Sequence, residues 1–196
     1  MQNDGVNERR RRVLTTMTSV VGAAGAVGVA VPFVGSWNPS AKAKAAGAPV
    51  EVNVGKIEPG ARITVEWRGK PVFIVRRTED AINNLNEISD LLEDPDSKSS
   101  VQPEYANNFY RSIKKEFGVL LGVCTHLGCA PEYRPNMGTT GGDGALPGGF
   151  LCNCHGSMFD LAGRVKKKSP APSNLEVPPY KYLSDSVILI GEDQEA

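Results

Sequence analysis

Cys124-Thr125-His126-Leu127-Gly128-Cys129 and, further along, Cys152-Asn153-Cys154-His155-Gly156-Ser157 decide how this chain is to be read. The 196-residue sequence holds four cysteines and two histidines, and all six lie in these two boxes. Scattered core cysteines or satisfied structural histidines would not segregate in this way. The boxes therefore point to a metal site, to two disulfides, or to a mixture of both. Tetrahedral zinc is one candidate, but its sites favour cysteine pairs about two to four residues apart. Here the boxes begin C-x-H and C-x-C-H, and each supplies one extra cysteine, which argues against zinc.

Working outward, the run Phe117 to Val123 reads as a strand leading straight into the first box. Upstream, Val50 to Val54, Arg62 to Trp67 and Val72 to Arg76 are short alternating or apolar runs. They are separated by turn sequences at Glu58-Pro59-Gly60 and Arg68-Gly69-Lys70-Pro71, and so predict antiparallel strands. A helix is predicted from Glu79 to Leu92, with Thr78 as cap and Ile82, Leu85, Ile88, Leu91 and Leu92 as its apolar stripe. Downstream, Asn174 to Val177, Tyr180 to Leu183 and Ser186 to Ile190 read as closing strands, and the Gly-rich segment Met137 to Gly149 as a surface loop. The fold expected is mainly β with one helical excursion.

Composition fits one folded domain plus an appendage: 40% of residues are hydrophobic and 22% charged. Lys+Arg and Asp+Glu both total 22, so nothing in the net charge calls for a nucleic-acid partner. Local charge is more informative. Glu8-Arg9-Arg10-Arg11-Arg12 precedes a stretch from Val13 to Trp37 with no charged residue, and as a helix that stretch spans roughly 37 Å, enough to cross a bilayer. The arginines should remain cytoplasmic, placing everything after Trp37 on the opposite face of a bacterial inner membrane as a single-pass protein with a periplasmic head. Arg10-Arg11-Arg12-Val13-Leu14 also fits the twin-arginine pattern for export of proteins already folded around a cofactor. A cleaved signal peptide is the alternative, with Ala41-Lys42-Ala43 as an A-x-A site. The uncharged stretch exceeds the roughly 7–15 residues of a typical signal core and favours a retained anchor. The domain reading is a basic segment 1–12, a transmembrane anchor 13–37, a flexible tether 38–49 and a head 50–196.

The pattern C-x-H-x-G-C followed by C-x-C-H-G-S resembles the disulfide-containing Rieske iron-sulfur proteins, in particular the iron-sulfur subunit of bacterial cytochrome bc complexes. The resemblance implies an antiparallel β-sandwich head with an inserted cluster-binding subdomain at about 121–172, holding one 2Fe-2S cluster. It implies that Cys124 and Cys152 ligate one iron and His126 and His155 the other, and that Cys129 and Cys154 form a disulfide clamping the two loops. Leu127 is then the apolar cover of the cluster, with core packing as the alternative, and Ser157 donates a hydrogen bond toward sulfur. Pro170-Ala171-Pro172 matches the family's third covering loop, although Ser169 stands where the family usually has Gly, and Phe159 where high-potential relatives have Tyr.

Two thiolates and two neutral imidazoles leave such a cluster less negative than four thiolates, so its potential rises, and ligand imidazoles that titrate with oxidation state couple proton to electron uptake. The function implied is a one-electron carrier of a quinol:cytochrome c oxidoreductase, with His155 as the ligand that meets quinol and then the haem of a c-type cytochrome. Cytochrome b and c-type subunits in a dimeric complex are the implied partners. The Rieske subunit of another exported enzyme such as arsenite oxidase is the first alternative, and the tether and the Pro170-Ala171-Pro172 loop argue against it. A soluble oxygenase ferredoxin is the second, disfavoured by Cys129, Cys154 and the export segment.

Overall fold

The computed structural model describes residues 5, 7–137 and 146–193. In chain order these form α1 (Glu8–Gly35), α2 (Ala41–Ala46), β1 (Val50–Asn53), β2 (Arg62–Trp67), β3 (Lys70–Arg76), α3 (Glu79–Glu87), β4 (Phe117–Leu121), β5 (Glu132–Arg134), β6 (Gly149–Cys152), β7 (Ser157–Phe159), β8 (Tyr180–Ser184) and β9 (Val187–Ile190). Two compact units result, divided between Ala45 and Ala46.

The first unit is the apolar helix. α1 is capped by Asn7, whose side chain accepts from the Arg10 amide, and its most apolar window has a mean hydropathy of 1.8. At 28 residues it extends roughly 42 Å, enough to cross a bilayer. Its threonine hydroxyls are compatible with lipid because they bond backward along the helix: Thr15 and Thr16 donate to the Arg12 carbonyl and Thr18 to that of Leu14. The segment after it departs from the expected structureless tether. Ala41–Ala46 forms a short helix, because alanine is the best helix former and the Ser40 hydroxyl accepts the Ala43 amide at 3.1 Å.

The second unit is built on three antiparallel three-stranded sheets, ordered β1-β9-β8, β2-β3-β4 and β5-β6-β7. All contribute to one buried core that includes Val54, Ile74, Leu120, Phe150, Phe159, Leu175, Tyr180 and Ile188. The second sheet meets the third through stacked rings of Phe73 and Phe150, 5.5 Å apart, with the Arg62 guanidinium 4.4 Å from the Phe73 centroid on the outer side. The strands expected before the first box are present, but those inside the ligand region, β5 to β7, are only three or four residues long and carry no periodic signal.

Two further expectations need correction. The helix ends at Glu87, and Ser89–Leu91 continues as a single 3-10 turn, because Leu92 leaves to form a β-bridge with Lys166. Asn174 to Val177 is not a strand. Its backbone is shared among three partners instead: Leu175 N–H donates to Gly163, Glu176 C=O accepts from Leu121, and Val177 N–H donates to Val101. Asn174 itself is buried, its Oδ1 accepting the Val165 amide and its Nδ2 donating to the Asp94 carbonyl and the Ser97 hydroxyl. The loop expected at Met137 to Gly149 falls largely on 138–145, outside the described residues.

The turn Asp160-Leu161-Ala162-Gly163-Arg164, directly after β7, has every backbone carbonyl engaged. Asp160 and Arg164 carbonyls accept from Gly163 and Asp160 amides, and Gly163 accepts from Leu175. The remaining two take guanidinium donors: Arg77 Nε bonds Leu161 at 3.0 Å and Arg111 Nη1 bonds Ala162 at 3.1 Å. Asp160 accepts the Ala162 and Arg164 amides with one carboxylate oxygen and Arg164 Nε at 2.7 Å with the other. Arg164 Nη2 reaches back to the Leu85 carbonyl on α3. Burial is the main force on the flanking guanidiniums, pulling Arg77 and Arg111 down to about 10, and the Asp160 carboxylate opposes it.

Asp160→Ala is therefore expected to cost about 3–5 kcal/mol of stability, because it strips the countercharge from three buried guanidiniums. Chemical denaturation of the full chain in detergent, followed by circular dichroism, measures it. A midpoint within error of the parent would show that the turn does not hold the head together.

Candidate metal centre

Each box is positioned by a strand and closed by the same hydrogen bond. The first leaves β4 through Gly122, where any Cβ would collide with the Phe73 ring, so only glycine lets the backbone pass over that ring. The Gly128 amide then donates to the Cys124 carbonyl at 2.9 Å, and the Cys124 amide to Cys129 at 2.8 Å. The second box is the turn between β6 and β7, where Cys152 pairs with Ser157 and the Gly156 amide donates to Cys152 at 2.8 Å. Gly128 (φ 83°) and Gly156 (φ 79°) both sit in the left-handed region with open space around them, so conformation and not crowding selects glycine there.

The two turns face each other. Cys129 and Cys154 form a disulfide, leaving Cys124 and Cys152 as buried free thiols among the described residues. The His126 and His155 rings lie edge to face with centroids 4.8 Å apart. The sulfurs of Cys129, Cys152 and Cys154 fall within 4.8 Å of one another, but two of them are committed to the disulfide, so Cys152 is the one of that trio able to ligate. Burial pushes the Cys124 thiol up, opposed by the His126 backbone amide and the Ser157 hydroxyl, whose donors beside the sulfur favour the thiolate. Cys152, in contact with the same sulfur, raises it further.

This donor set fits a mixed thiolate and imidazole cluster. A buried pair of thiols costs charge to ionise, and a cationic metal centre removes that cost. The Nδ1 of His126 is buried with no hydrogen-bond partner among the described residues, as suits an imidazole nitrogen whose lone pair is given to a metal. Cys124 and Cys152 lie on the buried side, whereas His155 is exposed and Leu127 is 70% exposed, so Leu127 does not pack in the core.

A third loop is bound to both boxes. Thr125 Oγ1 donates to the Ser173 carbonyl at 2.6 Å, Ser157 Oγ accepts the Ala171 amide at 3.0 Å, and Ser169 Oγ accepts the Met158 amide at 3.2 Å. Ser169, the departure from the family pattern, thus contributes a hydroxyl that glycine cannot. Sequence reasoning gave Thr125 no role and named Ser169 only as a departure from the family pattern, not as a hydrogen-bond acceptor. The one available signal was that both hydroxyls flank segments already marked by cysteine, histidine or proline.

Comparison with known proteins agrees with this geometry. A family profile described as "Rieske [2Fe-2S] domain" matches residues 48–181, and one described as "Ubiquitinol-cytochrome C reductase Fe-S subunit TAT signal" matches residues 1–40. The chain is 54% identical over 194 residues to the ubiquinol-cytochrome c reductase iron-sulfur subunit of Allochromatium vinosum, covering 99% of this chain and 94% of that protein. It is 41% identical over 191 residues to the subunit of the same name from Blastochloris viridis, covering 96% of each. With the mitochondrial cytochrome b-c1 complex subunit Rieske-4 of Nicotiana tabacum it shares 47% identity over 146 residues, 74% of this chain and 53% of that one.

Replacing Cys124, His126, Cys152 or His155 with Ala is expected to abolish cluster binding, since the described residues offer no spare Cys or His. Iron content and visible absorption of the purified chain give the readout, and a full cluster in any of the four variants would remove that residue from the ligand set.

Proposed function

Because this chain belongs to the Rieske iron-sulfur subunits of ubiquinol-cytochrome c reductase, we propose that Cys124 and Cys152 hold one iron of its 2Fe-2S cluster and His126 and His155 the other. The chain is the iron-sulfur subunit of a membrane-anchored oxidoreductase, a cytochrome bc complex, and works with cytochrome partners. When bound, the cluster supplies a one-electron carrier of raised potential, the general property of two-histidine, two-cysteine centres.

The residues divide the work around it. Cys124 and Cys152, 2% and 1% exposed, keep the thiolate side dry, while the exposed His155 stands at the surface. With one His155 nitrogen on iron, the other would hydrogen-bond a quinol oxygen and, in its deprotonated form, would take up the quinol proton as the electron passes to the cluster; the exposed ring can then approach the haem of a c-type cytochrome. Exposed Leu127 adds an apolar contact beside it for either partner. Ser157, whose Oγ accepts the Ala171 amide, can give its own proton to the Cys124 sulfur, which would spread negative charge and favour the reduced state. Arg9 to Arg12 keep the start of α1 cytoplasmic and send the head to the periplasm, in a dimeric complex with cytochrome b and a c-type cytochrome. The observation that carries this reading is the convergence of the two boxes, one disulfide, two free buried thiols and two apposed imidazoles in one place. Near full-length likeness to two bacterial subunits of this reductase favours it over an arsenite-oxidase type of subunit.

Electron paramagnetic resonance of the purified complex tests the assignment: a low average g signal that shifts with a quinone-site inhibitor is expected, and a signal indifferent to inhibitor would remove quinol from the reading. Ser157→Ala should lower the midpoint potential, by on the order of 50 mV for one lost hydrogen bond, measured by voltammetry at fixed pH; an unchanged potential would mean that the hydroxyl does not act on sulfur. Proline at Ala43 and Ala45 breaks the α2 turn and stiffens the linker. Turnover should fall while the cluster spectrum stays as in the parent, and unaltered turnover would argue for a static head.

A further inference from the structure

The disulfide is accompanied by a second tie between the same two segments. Glu132 opens β5 three residues after Cys129, and its Oε2 accepts a hydrogen bond at 2.8 Å from Nδ2 of Asn153, the residue between Cys152 and Cys154. The β5–β6 register puts Glu132 opposite Leu151, so its side chain reaches diagonally, two residues along, to the turn that presents His155. The same oxygen takes a 2.9 Å bond from Arg134 Nη2. The Asn153 bond, then the Arg134 bond, hold the Glu132 carboxyl below the usual carboxylate range, so the acceptor is ionised at neutral pH. Two links therefore run side by side, 129 to 154 covalently and 132 to 153 through a charge-assisted hydrogen bond.

We propose that Glu132 is a positioning residue for the second ligand box, clasping Asn153 so that Cys152 and His155 keep their spacing when the disulfide is absent or reduced. This rests on reading Cys152 and His155 as ligands. Arg134 and Glu132 are about half exposed, at 46% and 49%, so the ion pair adds little to global stability. Its effect is local. With the disulfide in place the box is already tethered, and loss of the clasp changes little. Without the disulfide, Asn153 to Glu132 is the side-chain hydrogen bond that remains, among the described residues, between the β5 segment and the turn.

The test compares Glu132, Glu132→Ala and Glu132→Gln in the full chain within the purified complex, each with the disulfide intact and with Cys129→Ser/Cys154→Ser. Gln keeps an oxygen for Asn153 but not the charge. Cluster loss at constant temperature is followed by visible circular dichroism, and thermal unfolding of the sheets is recorded alongside. Should the disulfide-free chain hold no cluster, phosphine reduction of the disulfide in assembled complexes gives the same comparison. Expected is near-parental loss for Glu132→Ala with the disulfide intact, about fivefold faster loss without it, substantial rescue by Gln, and unchanged sheet unfolding. Equal rates in the disulfide-free background, or Gln as fast as Ala, would overturn the proposal. A parent lacking any visible cluster spectrum would instead overturn the ligand assignment.

Discussion

The carboxylate of Asp160 is the point on which the head depends. Three arginines approach one five-residue turn: Arg164 from within it, Arg77 from the end of β3 and Arg111 from the far end of the excursion. Two of them fill carbonyls that a tight turn leaves without backbone partners, and a buried carbonyl without a donor costs as much as a lost hydrogen bond. The arrangement is tolerable only because a carboxylate at the centre neutralises part of the charge, since desolvation otherwise makes clustered guanidiniums expensive. Arg164 extends the same knot to α3 through the Leu85 carbonyl. Helical excursion, main sheet and ligand subdomain are thereby joined through a single polar cluster.

This fixed turn explains why the ligand region can be made of such short strands. β5, β6 and β7 are too small to be stable alone. They are held at one end by the Asp160 turn and along one face by Phe150, which packs on Phe73 and Tyr133. At the other end the ties are chemical: a disulfide, a Glu132 to Asn153 hydrogen bond, and a third loop secured to Thr125 and Ser157. The outcome is a rigid base with an exposed tip. The ligand set proposed above would suit that asymmetry, with the thiols of Cys124 and Cys152 in the dry interior and the His155 imidazole at the surface.

The N-terminal unit follows different rules. α1 returns its threonine hydroxyls to its own carbonyls, an arrangement compatible with a lipid surrounding. The head's polar groups are instead satisfied by long-range partners such as Arg77 to Leu161 and Asn174 to Asp94.

Much of the proposed site was legible in the sequence because its chemistry is local. Each box is a single turn whose glycine, cysteine and histidine spacing is set by one four-residue hydrogen bond, so the pattern survives without tertiary context. The apolar helix was legible for the same reason, since an unbroken run without charge depends on no other segment. The long strands β2 and β3 carried enough residues to show alternation. What the tertiary structure decided is whatever depends on partners far apart in sequence. Asn174 to Val177 looked like a strand but divides its bonds among residues around 101, 121 and 163. The expected helix stopped at Glu87 because Leu92 pairs with Lys166. The alanine-rich linker, featureless by hydrophobic period, forms a helical turn through alanine propensity and the Ser40 cap. The three-arginine turn and the Glu132 clasp left no mark on the sequence, because a buried guanidinium and a surface one are the same letter, and only folding brings a carbonyl or a carboxylate within hydrogen-bonding distance of them.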